Sequence, residues 1–217
     1  AVGYACLDAN TSGTDNCAIG AAAGSANTTG SRNTFIGRDS ALANTTGSNV
    51  TAVGFAALTA NTQGSDNNAL GAYALQDNTT SSDSNAFGSY ALRRQTTGHS
   101  NSAFGHATLD HCTTGVKNSA VGMTALSDLT TGSGNVAVGE NAAADITTGS
   151  NNVAVGMDAL RLVTTSSSNV GIGESAGINI TTGQGNVCIG TGANASSATV
   201  DGEFTLGSAN ISSLRCN

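Results

Sequence analysis

The chain has 217 residues, of which 10% are charged and 4% aromatic, with no Pro or Trp and a formal net charge of −7. Seven basic residues against fourteen acidic ones leave no electrostatic footprint for nucleic acid. No apolar run approaches the roughly 18 residues of a membrane span, so membrane insertion is not expected either.

From Gly3 to Gly207 a glycine recurs every 17 residues without a slip. Gly20, Gly37, Gly54, Gly71, Gly88, Gly105, Gly122, Gly139, Gly156, Gly173 and Gly190 are the structural glycines of this series. Each is taken as position zero of a unit numbered forward from it. Low charge and small residues also suit disordered chains, but a fixed period without insertions signals stacked structural units. The chain opens at Ala1, inside a repeat phrase and without Met or signal peptide. That reads as a piece of a longer or processed protein, with any targeting part upstream.

Within the unit, position 16 is always apolar, as in Ile36, Val53, Leu70, Phe87 and Val138, while position 15 is nearly always small, as in Ala52, Ala69 and Ala137. Alternation at period two marks a short strand. The bulky column is expected to face a core and the small column a close neighbour. Position 4 supplies a second apolar column, including Leu58, Leu75 and Leu92. Position 10 is usually the glycine of a Thr-Thr-Gly turn, such as Gly30 or Gly47, and a positive φ is expected there. Each unit then reads as strand, turn, strand, turn. Twelve rungs at about 4.8 Å give a rod of about 60 Å. Seventeen residues, with a glycine at position zero of every unit and a Thr-Thr-Gly turn in most, exclude a helical solenoid. The fold expected is all-β, a parallel β-solenoid of 17-residue repeats over 1–190.

Two columns change character at the same rung. Position 7 runs Asn10, Asn27, Asn44, Asn61, Asn78, Gln95, Cys112, then Leu129, Ile146, Val163, Ile180. Position 14 runs from Cys17, Thr34 and Thr51 to Ser119, then Val136, Val153, Val170, Val187. Positions 7 and 14 are expected to share a space, as amide and hydroxyl stacks in the early rungs and a dry aliphatic stack in the later ones. After Thr191 the turn motif is lost, so 191–217 reads as a cap or a transition to a further module.

Cys6, Cys17, Cys112, Cys188 and Cys216 form no CxxC pair, so neither metal nor redox chemistry is indicated. They read as small buried residues, with a Cys6–Cys17 bridge left open. Asp110, His111 and Cys112 are adjacent, and neighbours on a strand point to opposite faces, so no catalytic triad forms. No enzymatic role and no cofactor is expected. Tyr73, Tyr90, Arg93, Arg94 and His111 cluster on successive rungs. They read either as a patch contacting a sugar or receptor or as a ladder fixing register, a role worth little per ion pair in water. Adjacent threonines in the turn would point only one side chain outward, which weighs against an ice-binding face. Asn-Thr-Thr sequons such as Asn27-Thr28-Thr29 follow from the repeat and read as turn chemistry.

The phrase Asn-x-Ala-Val/Ile-Gly-x-x-Ala resembles the head repeats of trimeric bacterial autotransporter adhesins. Thr147-Thr-Gly-Ser-Asn-Asn-Val-Ala-Val-Gly156 looks even more like the shaft repeats of phage tail fibres. The stretch Phe204–Cys216 is similar to the one preceding the intramolecular chaperone of some phage fibres and tailspikes. The resemblance implies a left-handed β-roll and a parallel homotrimer. It also implies a virion tail fibre or tailspike outside the cell, attached upstream to a virion or tail component and binding a host surface polysaccharide or protein receptor. A bacterial cell-surface adhesin head is the alternative, and an ice-binding β-solenoid a second one. The longer turn departs from the autotransporter heads, so their binding roles do not carry over.

Overall fold

The computed structural model describes residues 1–208; the end of the tail resemblance and Cys216 lie outside the described residues. Each turn of the chain contributes one three-residue strand at positions 14 to 16. These are β1 (Cys17–Ile19), β2 (Thr34–Ile36), β3 (Thr51–Val53), β4 (Asn68–Leu70), β5 (Asn85–Phe87), β6 (Ser102–Phe104), β7 (Ser119–Val121), β8 (Val136–Val138), β9 (Val153–Val155), β10 (Val170–Ile172), β11 (Val187–Ile189) and β12 (Phe204–Leu206). They form one 12-stranded parallel sheet in sequence order. Every residue lies beside the one a full unit later, Val136 beside Val153 and Val138 beside Val155. The parallel β-solenoid expected from the glycine period is the observed architecture. Val2 bridges to Ile19 at the start, and Phe204 pairs with Val187 at the end.

The second strand expected in each unit does not form among the described residues. Leu58, Leu75, Leu92, Leu109, Leu126 and Leu160 at position 4 all have φ between 50° and 53°, and position 2 is also left-handed, as at Tyr73 (61°) and Tyr90 (63°). Such residues normally avoid this region. Here the neighbouring rungs hold them: Leu58 N–H donates to the Ala74 carbonyl (2.9 Å) and Tyr73 N–H to the Phe55 carbonyl (2.9 Å). This side is therefore a stack of identical turns rather than a second sheet.

The faces of the strand are the reverse of the expectation. Ala52, Ala69, Ala86, Ala103, Ala120, Ala137 and Ala154 at position 15 are fully buried, whereas Ile19, Phe104, Val121 and Val138 at position 16 are exposed. The cross-section explains why. Position 15 lies in one buried cluster with the leucines of position 4 and the alanines of position 3, and opposite a leucine only a small side chain fits there. The core is thin, built mostly from small residues on the strand side and, in most turns, a leucine opposite.

The glycine of Thr-Thr-Gly also has a different reason from the one expected. No position-10 glycine has a positive φ; the left-handed residue of that turn is position 12, as at Asn49 (58°) and Asp66 (59°). Position 10 needs glycine because the rungs touch there. A Cβ on Gly47 would meet the Gly64 carbonyl oxygen at 2.5 Å. Position zero combines both constraints: Gly139 has φ +134°, and a Cβ would stand 2.6 Å from the Gly156 carbonyl.

Positions 7 and 14 do not share a space: position 7 lies inside the turn and position 14 outside on the sheet. The interior stacks at position 7 are as expected. Asn27 Nδ2 donates to Asn10 Oδ1 (2.9 Å), Asn44 to Asn27 (2.9 Å) and Asn61 to Asn44 (2.8 Å). Leu129, Ile146, Val163 and Ile180 continue the same column fully buried. A second interior amide column runs at position 13, from Asn101 through Asn118, Asn135, Asn152 and Asn169 to Asn186. Each of its Oδ1 atoms accepts the next rung's backbone N–H at 2.9–3.0 Å. The two columns exchange length where they are interrupted. Ser84 is short at position 13, and Gln95, long at position 7, reaches it: Nε2 donates to Ser84 Oγ (3.0 Å) and to Ser81 Oγ (2.9 Å). Ser81, in a glycine position, stretches the Asn78–Asn61 bond to 3.4 Å. Glu203 takes the last position 13, keeping the backbone bond to Asn186 Oδ1 (2.9 Å) while its carboxylate accepts from Ser196.

Candidate functional site

The outer face of the sheet is built by positions 14 and 16. None of the chain's seven basic and fourteen acidic residues stands at either position. Position 16 is a continuous column of Val, Ile, Leu and Phe, and among the described residues none covers the side chains at Ile19 (45% exposed), Val121 (45%) and Val138 (40%). Near its middle Phe87 and Phe104 stack in parallel, ring centres 4.9 Å apart and planes 7° from coplanar. Position 14 is hydroxyl or amide over β2–β7, with Asn68 Nδ2 donating to Asn85 Oδ1 (2.9 Å). Over β8–β11 it is valine. Contiguous exposed apolar surface of this extent marks an interaction site in soluble proteins.

The sequence cluster divides into two groups on the rest of the surface. Tyr73 and Tyr90 stack on one another at position 2, 5.2 Å apart and 10° from coplanar. Phe55 meets Tyr73 edge-on at 5.3 Å, and His106 meets Tyr90 edge-on at 5.8 Å. Arg93 lies over the Tyr90 ring at 5.3 Å and forms a two-pronged pair with Asp110, Nε to Oδ1 at 2.8 Å and Nη2 to Oδ2 at 2.9 Å. The Tyr rings thus turn their faces to one another and to these neighbours, and they leave edges outward. Arg94 and His111 belong to the adjacent column, where His111 Nδ1 stands 3.5 Å from Asp128 Oδ1 and 2.9 Å from the Ser127 carbonyl. Asp145, one rung beyond Asp128, has its carboxyl raised above the usual range. Burial is the main cause, Arg161 opposes it, and the Asp128 charge adds to it.

Asp110, His111 and Cys112 are drawn apart by their separate partners. Asp110 serves Arg93, His111 faces Asp128, and Cys112 is inside the core, where burial pushes its thiol up to about 12. Cys6, Cys17, Cys112 and Cys188 are free thiols. Cys17 is on the outer face and Cys188 at position 15 inside, so among the four described cysteines the expected burial holds for Cys112 and Cys188 and not for Cys6 and Cys17. Among the described residues no three of His, Cys, Asp and Glu converge as metal ligands do. The paired threonines separate as expected. Thr28 and Thr45 at position 8 donate to the next rung's carbonyls (3.0 and 2.9 Å), while Thr29 and Thr46 at position 9 face solvent. Asn27 and Asn44 are buried within the roll and committed to the amide ladder.

The sheet face was missed from the sequence because the bulky column was assigned inward. One signal could have found it. Where position 15 holds Phe35, position 4 holds Gly24 and Ala41 instead of leucine, and sizes that trade off in this way belong to facing columns. No protein-family model, no curated protein and no solved structure matches the chain.

Proposed function

We propose that the chain is a shaft segment of a fibrous attachment protein, a phage tail fibre or tailspike. In this reading three copies turn their sheet faces toward one another and the fibre carries adhesion to a host surface outside the cell. The observation that carries the reading is the uncharged face, an apolar column along the whole ladder with no charge at positions 14 or 16. The face is about 50 Å tall and about 10 Å wide. Two copies would bury on the order of 1,000 Å² between them, at the threshold of a specific interface. The charged residues lie on the other surfaces, where an assembled fibre meets water. The trimer and the left-handed winding come from the resemblance in the repeat phrase. The same phrase supports the alternative, a surface adhesin head. Mechanism in either case is rigid reach with many equal copies displayed together, and the edge formed by Tyr73, Tyr90, Arg93, Arg94 and His111 is the proposed receptor contact.

Sedimentation of the purified chain tests the assembly. The wild type is expected as a trimer. Val138→Asp with Val155→Asp is expected as a folded monomer, because each would bury a charge facing its own copies. A wild-type chain that stays monomeric up to high concentration removes the reading. Adhesion is tested separately by adsorption of the trimer to host cells. Adsorption unchanged in Tyr73→Ala/Tyr90→Ala/Arg93→Ala removes the receptor role of that edge.

A further inference from the structure

We propose that Tyr73 and Tyr90 form an oxidative cross-linking site, where hydrogen peroxide, used by a haem peroxidase, joins two neighbouring rungs by a carbon–carbon bond between the phenol rings. The proposal goes beyond the attachment reading and does not depend on it. Among the described residues the four cysteines are free thiols, so hydrogen bonds and packing alone hold each rung to the next there. The tyrosine pair is where a covalent tie fits. Both residues stand at position 2 on the same left-handed backbone, φ 61° and 63°. Tyr73 N–H donates to the Phe55 carbonyl (2.9 Å) and Tyr90 N–H to the Ala72 carbonyl (3.0 Å), which roots the two side chains one rung apart. Their rings stack with centres 5.2 Å apart and planes 10° from parallel. Phe55 and His106 close the two ends of the pair edge-on at 5.3 and 5.8 Å. The chain has one other tyrosine, Tyr4, which lies four units before Tyr73 and is 86% exposed. A radical on either ring of the pair therefore has one phenol within reach, at a high effective concentration.

Each phenol gives up one hydrogen atom, as a proton and an electron. The two electrons and two protons break the peroxide O–O bond and leave two waters. The two phenoxyl radicals then couple between the carbons ortho to their oxygens. The hydrogens on those carbons move to the oxygens, which restores both aromatic rings and both hydroxyls. The product is the chain less two hydrogen atoms. Stacked rings do not bond through their faces. The ortho carbons lie on ring edges, the pair turns edges outward, and both side chains are half-buried. A tilt about the side-chain torsions brings two such edges together. The bond spans the 17 residues from Tyr73 to Tyr90 and restricts the unfolded chain as a disulfide of the same loop length would.

Hydrogen peroxide with a haem peroxidase tests this on the full chain carrying Tyr4→Phe, in which Tyr73 and Tyr90 are the only phenols. The expected product has the mass of one chain less two hydrogens, dityrosine fluorescence and a cross-linked Tyr73–Tyr90 peptide. Its rate of formation is expected to stay the same when the protein is diluted. A second variant moves one phenol a rung away. Tyr90→Phe with Ala107→Tyr, in the same Tyr4→Phe chain, keeps a ring at residue 90 and sets the phenol at the next position 2, where φ is 51°. Intrachain coupling is expected to fall at least tenfold there, as the effective concentration drops with the added rung. The coupled chain is expected to melt at a higher temperature than the untreated one, while the same treatment leaves the melt of Tyr4→Phe/Tyr90→Phe unchanged. Four results overturn the proposal. They are equal intrachain coupling in the two chains, links only between chains, an equal melting shift in the control, and no coupling while the peroxidase oxidises free tyrosine in the same tube.

Discussion

Phe35 fills the space that Gly24 leaves: a Cβ on Gly24 would overlap the ring at Cδ2. Ala41, one turn on, is likewise small at a position usually held by leucine. The ring is fully buried. Gly24 has φ +58°, close to Leu58 at +52°, so the backbone there is already shaped for leucine and only volume forbids it. Phe35→Ala is expected to cost about 3–5 kcal/mol by opening a cavity. Gly24→Leu alone is expected to cost at least as much, because the overlap is with a ring held on every side. Together they recreate the Ala–Leu pairing of other rungs, and the double variant is expected to be more stable than either single one. Chemical denaturation of the four proteins measures the coupling, expected at about 2 kcal/mol or more. Additive losses would refute the exchange of volume.

That pair also shows what was legible in the sequence. The period, the parallel stacking and the amide column at position 7 follow from repetition, because identical residues in consecutive turns must stack. Which side of the strand is inside does not follow from repetition. Val138 is bulky and apolar, and by the usual ranking it belongs in a core, yet the roll is too thin for it. The rule fails because the space behind the strand is taken up by the position-4 leucines and leaves room only for the small side chain of Ala137, so Val138 stands on the outer face. The left-handed leucines were illegible for another reason: leucine has no preference for that region, and only the bonds from adjacent rungs impose it. The partners of Tyr73 and Arg93 were half legible, since successive rungs are visible in sequence but the orientation of the rings is not.

The interior amide column stands or falls as a whole. Asn44 donates to Asn27 Oδ1 and to the Gly47 carbonyl (3.1 Å), and accepts from Asn61 (2.8 Å). Asn44→Leu fits the space, as Leu129 does in the same column, but it leaves the oxygen of Asn27 and a hydrogen of Asn61 buried without this partner. A loss of about 2–4 kcal/mol is expected, one to two orphaned groups at about 1–3 kcal/mol each. Converting Asn27, Asn44, Asn61 and Asn78 to leucine together is expected to cost less per residue, since no amide is then left between apolar neighbours. Equal cost per residue in the single and fourfold variants would show that the amides act independently.

Gly47 tests the meaning of the turn glycine. If a left-handed backbone were the reason, asparagine would be the best substitute and alanine a poor one. Crowding against Gly64 and Asn44 instead penalises any Cβ, so Gly47→Ala and Gly47→Asn are both expected to lose about 1–3 kcal/mol or more. Position 12 should behave in the opposite way. Asn49 has φ 58° and is exposed, and Asn49→Gly is expected to change stability by only a few tenths of a kcal/mol, since glycine enters that region freely at some cost in chain entropy. Thermal melts of the three variants separate crowding from backbone conformation.

Two carboxylates give opposite responses to pH. The Asp145 carboxyl is raised by burial, with Arg161 opposing and Asp128 adding, so the folded chain keeps its proton to higher pH than the unfolded chain does. Its contribution is therefore fully present below the ordinary 3.8 and is lost as pH rises from there through the folded value. Glu203 is held below its ordinary 4.5, chiefly by the Ser196 hydroxyl and then by the Ser196 backbone. Its contribution is present above 4.5 and is lost as pH falls through the folded value. Asp145→Asn is expected to gain on the wild type as pH rises from 3.8 toward neutrality and to match it most closely in acid. Glu203→Gln is expected to fall behind the wild type at neutral pH and to close the gap on the acid side of 4.5. Denaturant midpoints of both variants across this range decide the matter. Parallel curves for Asp145→Asn and wild type would mean that the carboxyl titrates alike in the folded and unfolded chains. The wild type therefore loses stability toward acid at its C-terminal rung and toward neutrality at the Asp128–Asp145 step.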